Sequence, residues 1–197
     1  METLIMARHG ESEFSVRGAV NGEVGVACPL TASGVEEAKR LGAELTDERI
    51  DLCMTSRFER VLQTADVALA GRGIPRLIVA EFDDPRYGSF EGGPLEEYRK
   101  WASSSPSGLA PPGCGESRLA IVGRYARGFR LVLDRDEPTI LLVAHSLPLA
   151  YALAANDGTA PAPRVPLVEY ARPYRLEASQ LREIVAVLED WCASPAW

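Results

Sequence analysis

The sequence predicts an α/β fold, a three-layer sandwich with a mostly parallel central sheet and helices on both faces. Two patterns predict it. Short apolar runs recur without polar alternation, as in strands covered on both sides, and helix-period segments lie between them. Strand and helix therefore alternate, which requires parallel crossovers in one layered unit. A length of 197 residues and a hydrophobic content of 46% suit a single domain over 1–197 with an ordinary core.

The first run is TLIMA (3–7), short and uninterrupted enough for a buried strand. TASGVEEAKRLGAEL (31–45) then spaces Val35, Ala38, Leu41 and Leu45 by three and four residues, the period of one helix face. DLCMT (51–55) supplies the second strand, and the segment after Ser56 gathers Phe58, Val61, Leu62 and Ala65 on one helical face. RLIVA (76–80) is the third strand. Between 101 and 116, WASSSPSGLAPPGCGE is rich in Ser, Pro and Gly and reads as a long functional loop or lid. A helix pattern resumes at Ser117 and runs to the strand TILLVA (139–144). The closing PLVEYARPYRLEASQLREIVAVLEDW predicts a hairpin followed by a short helix.

Net charge is -7, so the surface as a whole repels nucleic acid and anionic membranes, and neither is expected as a partner. An anionic ligand must meet a local basic cluster. The four cysteines at 28, 53, 114 and 192 form no CxxC pair and have no histidine at ligand spacing. Neither a metal site nor a disulfide framework is indicated, and reduced thiols fit a cytoplasmic protein. The chain enters its first strand within a few residues, leaving no room for a secretion signal, and no run reaches the roughly 20 apolar residues of a membrane span.

Only two histidines occur, His9 and His145, each directly after an apolar strand-like run. In open α/β sheets ligands bind beyond the carboxyl ends of strands. Either histidine alone could be structural, satisfied by backbone groups; the pair, both at such ends, points to a site. Arg8 precedes His9, and SRFERVLQTA places Arg57 and Arg60 at the start of the helix after the second strand. Guanidinium groups fork around phosphate oxygens, and a helix start adds oriented N–H donors. Surface pairing with Glu11, Glu59 or Asp66 is the alternative for these arginines. After the third strand come Glu81, Asp83 and Asp84, any of which could protonate a leaving oxygen, while one could instead cap a helix.

These residues carry a family resemblance. ARHGES (7–12), PLTASGVEEAKRLG from Pro29, TSRFERVLQTA from Thr55, YGSFEG from Tyr87, GCGES from Gly113 and VAH ending at His145 stand in the order found in the histidine phosphatase superfamily. The chain resembles its two-histidine, phosphoglycerate-mutase-like group, and the ordered set is far more specific than a lone RHG. The resemblance implies that His9 is the nucleophile and becomes a phosphohistidine. It implies that Arg8 and Arg60 hold phosphate, that His145 contacts the phosphoryl group, and that Asp84, four residues before Gly88, is the general acid. Most members carry Glu there, so the shorter Asp84 leaves Asp83 and Glu81 as rivals. Ser15 stands where many members have Asn, and Ser146 follows the second histidine where Gly is common, so the polar surroundings are altered.

Gly10 lets the backbone turn and donate hydrogen bonds beside the phosphate. Burial among cations favours a neutral His9, as attack requires. The activity implied is a metal-independent phosphomonoesterase without cofactor, acting on a small phosphorylated metabolite. Alternatives are a phosphoglycerate-type mutase and a non-catalytic phospho-ligand-binding module. The chain is shorter than typical cofactor-dependent mutases, which favours hydrolysis, and both histidines, both arginines and an acidic cluster are present, which a non-catalytic module would not need. Trp101, the 101–116 loop, Arg86, Tyr98 and Arg57 are the residues expected at the mouth, with Arg57 or Arg86 available for a second anionic group, although Trp101 is more simply read as packing. Nothing in the sequence singles out an oligomeric state.

Overall fold

The computed structural model describes residues 1–197. Its strands are β1 (Thr3–Arg8), β2 (Leu52–Thr55), β3 (Arg76–Ile78), β4 (Thr139–Ala144) and β5 (Pro173–Glu177). They form one five-stranded sheet in the order β3-β2-β4-β1-β5, parallel except for β5, which runs antiparallel along β1. The helices are α1 (Glu13–Val16), α2 (Ala32–Glu44), α3 (Glu59–Ala68), α4 (Leu95–Ser104), α5 (Arg118–Leu133), α6 (Ser146–Asn156) and α7 (Ala178–Ala193).

The uninterrupted apolar strands are satisfied by burial on both faces. Successive side chains of a strand point to opposite sides. In β1, Leu4 and Met6 therefore join a core with Ile121, Tyr125 and Phe129 of α5, Leu149 of α6, and Leu181, Ile184 and Leu188 of α7. Ile5 and Ala7 face the other way, onto Leu41 of α2 and Val61 and Ala65 of α3. The three-layer sandwich follows directly from this division.

Three expectations change. β3 is not covered on both faces: Arg76, Leu77 and Ile78 are exposed, because this strand is the sheet's outer edge and is too short to carry a helix of its own. The carboxyl-terminal segment forms no hairpin. β5 pairs with β1, and α7 is long, starting at a reciprocal Glu177 and Gln180 capping box and burying Leu181, Ile184, Val185, Leu188 and Trp191. Finally, Trp101 to Ser104 belong to α4, with Trp101 packed against Tyr98 and Phe90, so the irregular stretch starts at Ser105. No helix is long and apolar enough to cross a membrane.

Register positions the site. β1 and β4 are parallel neighbours with Arg8 opposite Ala144, and the His9 N–H donates to the Ala144 carbonyl at 2.9 Å. The residues that follow, His9 and His145, therefore emerge side by side at the carboxyl edge. Directly beyond, the chain passes so close to the start of α2 that a Cβ on Gly10 would lie 2.4 Å from the Gly34 carbonyl oxygen.

Gly10→Ala should accordingly lower the unfolding free energy by about 2–3 kcal/mol, the scale of overpacking against unyielding backbone. Gly25, where a Cβ would meet nothing within 4 Å, is the control: Gly25→Ala should stay within about 0.5 kcal/mol. Urea titration of the two variants checks the difference.

Candidate active site

The end of β1 delivers Arg8 and His9 into a buried basin at the carboxyl edge. His9 Nδ1 lies 2.7 Å from the Gly10 carbonyl oxygen. A carbonyl can only accept, so Nδ1 carries the proton and Nε2 keeps a free lone pair. Gly10 thereby fixes the tautomer. Its own N–H is given to Thr64 Oγ1 at 3.0 Å, so the expected donation from Gly10 to phosphate is not available; the glycine is required by the approach of α2 instead.

The two cations expected with His9 are both buried there. Arg8 donates through Nη1 to the Val168 carbonyl at 2.7 Å and lays its guanidinium over the Tyr170 ring at 3.8 Å. Its Nε is buried without a partner, and no carboxylate pairs with the guanidinium. Arg60 reaches in from the first turn of α3. Its Nη1 donates to Asn21 Oδ1 at 2.7 Å, and its Nη2 to the Asn21 carbonyl at 3.1 Å and to Asp84 Oδ2 at 2.7 Å.

Among the three candidate acids, Asp84 alone enters the basin. Asp83 is tied to Arg57, accepting from its backbone N–H at 3.0 Å and its Nε at 2.7 Å. Glu81 lines a second hollow with Asp83 and Arg86, which adjoins the basin at Asp84. Arg124 of α5 pins this turn by donating to the Glu81 and Asp83 carbonyls while paired with Glu116. Asp84 is thus held at the basin by its neighbours' backbone. Arg57 pairs with none of Glu11, Glu59 or Asp66, and with Arg86 it lies at the second hollow, away from the histidines.

His145 adjoins the site. Its ring stands edge-on to that of His9, with centroids 5.4 Å apart. Ser56 Oγ is 2.9 Å from Nε2, and Nδ1 lies 3.3 Å from both Arg60 Nη2 and Asp84 Oδ2. His145 is buried and is not part of the basin's lining; its imidazole meets Arg60 and Asp84, which are. Ser15 and Ser146 both line the basin. Ser15 is bonded to Ser12, while Ser146 Oγ accepts the Val168 N–H at 2.9 Å. Both backbone groups of Val168 are therefore held by site residues, and the wall over the basin is built from Pro163, Val165, Leu167 and Tyr170. The 105–116 stretch does not cover it; Gly113, Cys114 and Glu116 line the second hollow. Asn21, Ser56, Tyr170 and Arg118 were missed from sequence because their positions in the chain carry no spacing relation to either histidine.

Electrostatics favour a reactive state. His9 and His145 both titrate well below the ordinary imidazole range, because burial disfavours the imidazolium and the charges of Arg60 and Arg8 add to it. Asp84 is pushed above the usual carboxylate range by burial, which outweighs its pairing with Arg60. The basin thus combines an imidazole biased towards its neutral form, two fixed cations and a carboxyl group that burial shifts upward.

Residues 4–183 match the histidine phosphatase superfamily (branch 1). The chain belongs to this family. It is similar to the adenosylcobalamin/alpha-ribazole phosphatase of Salmonella typhimurium, with 31% identity over 160 residues that make up 77% of each chain. It is also similar to the uncharacterized phosphatase PhoE of Bacillus subtilis, 30% identical over 162 residues, 82% of this chain and 80% of that one. Among solved structures, a putative alpha-ribazole-5'-P phosphatase from Escherichia coli superposes with a TM-score of 0.76 at 26% identity, covering 89% of this chain and 90% of that one. The phosphoglycerate-mutase-like architecture is therefore shared along nearly the whole length.

The depressed histidines make stability depend on pH. Below about pH 6.5 an unfolded chain binds protons at both imidazoles that the folded histidine phosphatase does not. Their contribution is full above that pH and falls as the solution is acidified, by about 1 kcal/mol per pH unit for each imidazole. Asp84, shifted upward, acts with the opposite sign: its contribution is present at low pH and fades as pH rises through its folded value. Urea unfolding between pH 5.5 and 7.5 should show the histidine slope, and a His9→Asn/His145→Asn double variant should lose it.

Proposed function

We propose that this protein hydrolyses a small phosphomonoester through a phosphohistidine on His9. The observation that carries the reading is the free Nε2 of His9, fixed by the Nδ1–H to Gly10 bond, in a basin shared with Arg8, Arg60 and Asp84. A lone pair, a pair of cations and an acid are the parts that in-line phosphoryl transfer needs.

In the first step Nε2 attacks phosphorus, the phosphorus–oxygen ester bond breaks, and Asp84 gives its proton to the departing alkoxide. Arg8 and Arg60 stabilise the charge spread over the equatorial oxygens. Arrival of a phosphoryl dianion beside Asp84 raises that carboxyl further, so substrate binding itself favours the acid form. In the second step the Asp84 carboxylate takes a proton from water, whose oxygen attacks the phosphohistidine and releases inorganic phosphate. His145 and Ser56 keep Arg60 and Asp84 in line from behind. The reaction uses no metal or other cofactor, and the unpaired cysteines suit a cytoplasmic setting.

Release of phosphate from p-nitrophenyl phosphate in the presence of EDTA tests the reading. His9→Ala should lose it by at least about a thousandfold, and the native enzyme quenched in alkali should carry acid-labile phosphate on His9. Equal rates for native and variant would end it. A protein that isomerises 3-phosphoglycerate faster than it hydrolyses it, when primed with the bisphosphate, would be a mutase instead.

The acid is tested separately. Asp84→Asn should slow hydrolysis of an alkyl phosphate by about a hundredfold or more, and that of p-nitrophenyl phosphate less, because nitrophenolate leaves without much help. A larger loss in Asp83→Asn or Glu81→Gln would move the role to that residue.

A further inference from the structure

One side of the basin carries a cation that phosphoryl transfer does not use. Arg118, the first residue of α5, is buried and lines the same hollow as His9, Arg8 and Arg60. It forms no ion pair, in contrast to Arg124 on the same helix, which is matched by Glu116. Its Nε is buried without a hydrogen-bond partner, and its Nη1 makes only a long contact, 3.5 Å, with the Tyr151 hydroxyl. A second buried donor stands beside it. Tyr98 of α4 packs its ring against Tyr87 and Trp101, and the Arg118 guanidinium lies 5.2 Å from the Tyr98 ring centroid. The Tyr98 hydroxyl is also buried without a partner, and Tyr98 also belongs to the hollow's lining.

Buried polar groups are almost always satisfied, and a buried charge without a counter-charge is rarer still. Two such groups on one wall of a catalytic basin are best accounted for by a ligand that satisfies both. The neighbouring arginine at the mouth, Arg99, is not equivalent, because Glu96 and the Val165 carbonyl occupy it. Arg164 is likewise paired with Glu96, and Val20, Leu95, Leu147 and Val165 supply apolar lining nearby.

We infer that Arg118 and the Tyr98 hydroxyl form a second anion subsite, and that the substrate is a phosphomonoester bearing another anionic group, carboxylate or phosphate, on a short aliphatic frame. The inference rests on the phosphomonoesterase reading of the basin and adds the substrate class to it. Arg118 can present two donors to such a group, and Tyr98 a third. A substrate without it leaves both residues buried and unmet, and that penalty is what makes a polar subsite discriminate strongly. The role considered earlier for Arg57 or Arg86, both in loops, is assigned instead to the first residue of α5.

Matched substrates test this without assuming the natural one. 3-Phosphoglycerate and glycerol 3-phosphate differ in a carboxylate; fructose 1,6-bisphosphate and fructose 6-phosphate differ in a second phosphate. The native enzyme should prefer the doubly anionic member of at least one pair by about tenfold or more in kcat/KM. The pair that shows the preference tells carboxylate from phosphate. Arg118→Gln should bring that ratio towards one, chiefly through KM, and Arg118→Lys should keep part of it. Tyr98→Phe should reduce the ratio by several-fold with no loss of thermal stability, since it removes only an unmet hydroxyl. No preference in either pair, or variants that slow both members equally, would overturn the inference. His9→Ala separates the two levels: if it abolishes all turnover while the ratios ignore Arg118 and Tyr98, the subsite fails and the phosphatase stands.

Discussion

Two parallel strands that end in register hold this site together. Because Arg8 lies opposite Ala144, the first residues past β1 and β4 are neighbours, and both are histidine. Strand spacing in a sheet is near 4.8 Å, and the imidazole centroids are 5.4 Å apart. A slip of the pairing by one residue would move every side chain of β1 to the opposite face and separate the rings. The apolar pattern forbids that slip, since Leu4 and Met6 are committed to one core and Ile5 and Ala7 to the other. The packing of the sheet is therefore also the alignment of the chemistry.

The second constraint is electrostatic. An acidic chain concentrates Arg8 and Arg60 where two imidazoles are buried, and each cation makes protonation of the rings harder. Desolvation acts in the same direction. The arrangement would repel itself if both histidines were charged; with both neutral, the cations face a lone pair and a single carboxyl group. Asp84 lies at the balance point, paired with Arg60 yet buried enough to be shifted upward. Its position is secured indirectly, by Arg124 on the Glu81 and Asp83 carbonyls and by Arg57 on the Asp83 side chain.

The wall above the basin follows a similar logic. The segment after α6 has no regular structure until β5, and it is fastened by its backbone. Val168 is gripped through its N–H by Ser146 and through its carbonyl by Arg8, and the Ala171 N–H returns to the Arg8 carbonyl. The residue that holds one side of the basin also anchors the segment roofing it. The wall and the adjoining helices α4 and α5 together line the side of the basin that carries Arg118 and Tyr98.

Local signals along the chain were enough to specify the layered α/β architecture, four of the strands, and the presence of His9, Arg8, Arg60 and Asp84 at strand and helix ends, because periodicity and strand-end chemistry are read within short windows. Those signals also marked Glu81 and Asp83 as rivals to Asp84, since neighbours along a chain look alike until they turn in different directions. It took the folded arrangement to send Asp83 to Arg57, place Gly10 against Gly34 and put His145 against Arg60. The same packing drew β5 onto β1 in place of a hairpin, and gave the roof of the basin to 163–170 and not to the glycine- and proline-rich stretch. Each of these outcomes is a contact between residues far apart in the chain, decided by packing and by which buried polar groups find partners, and no window along one sequence contains that information.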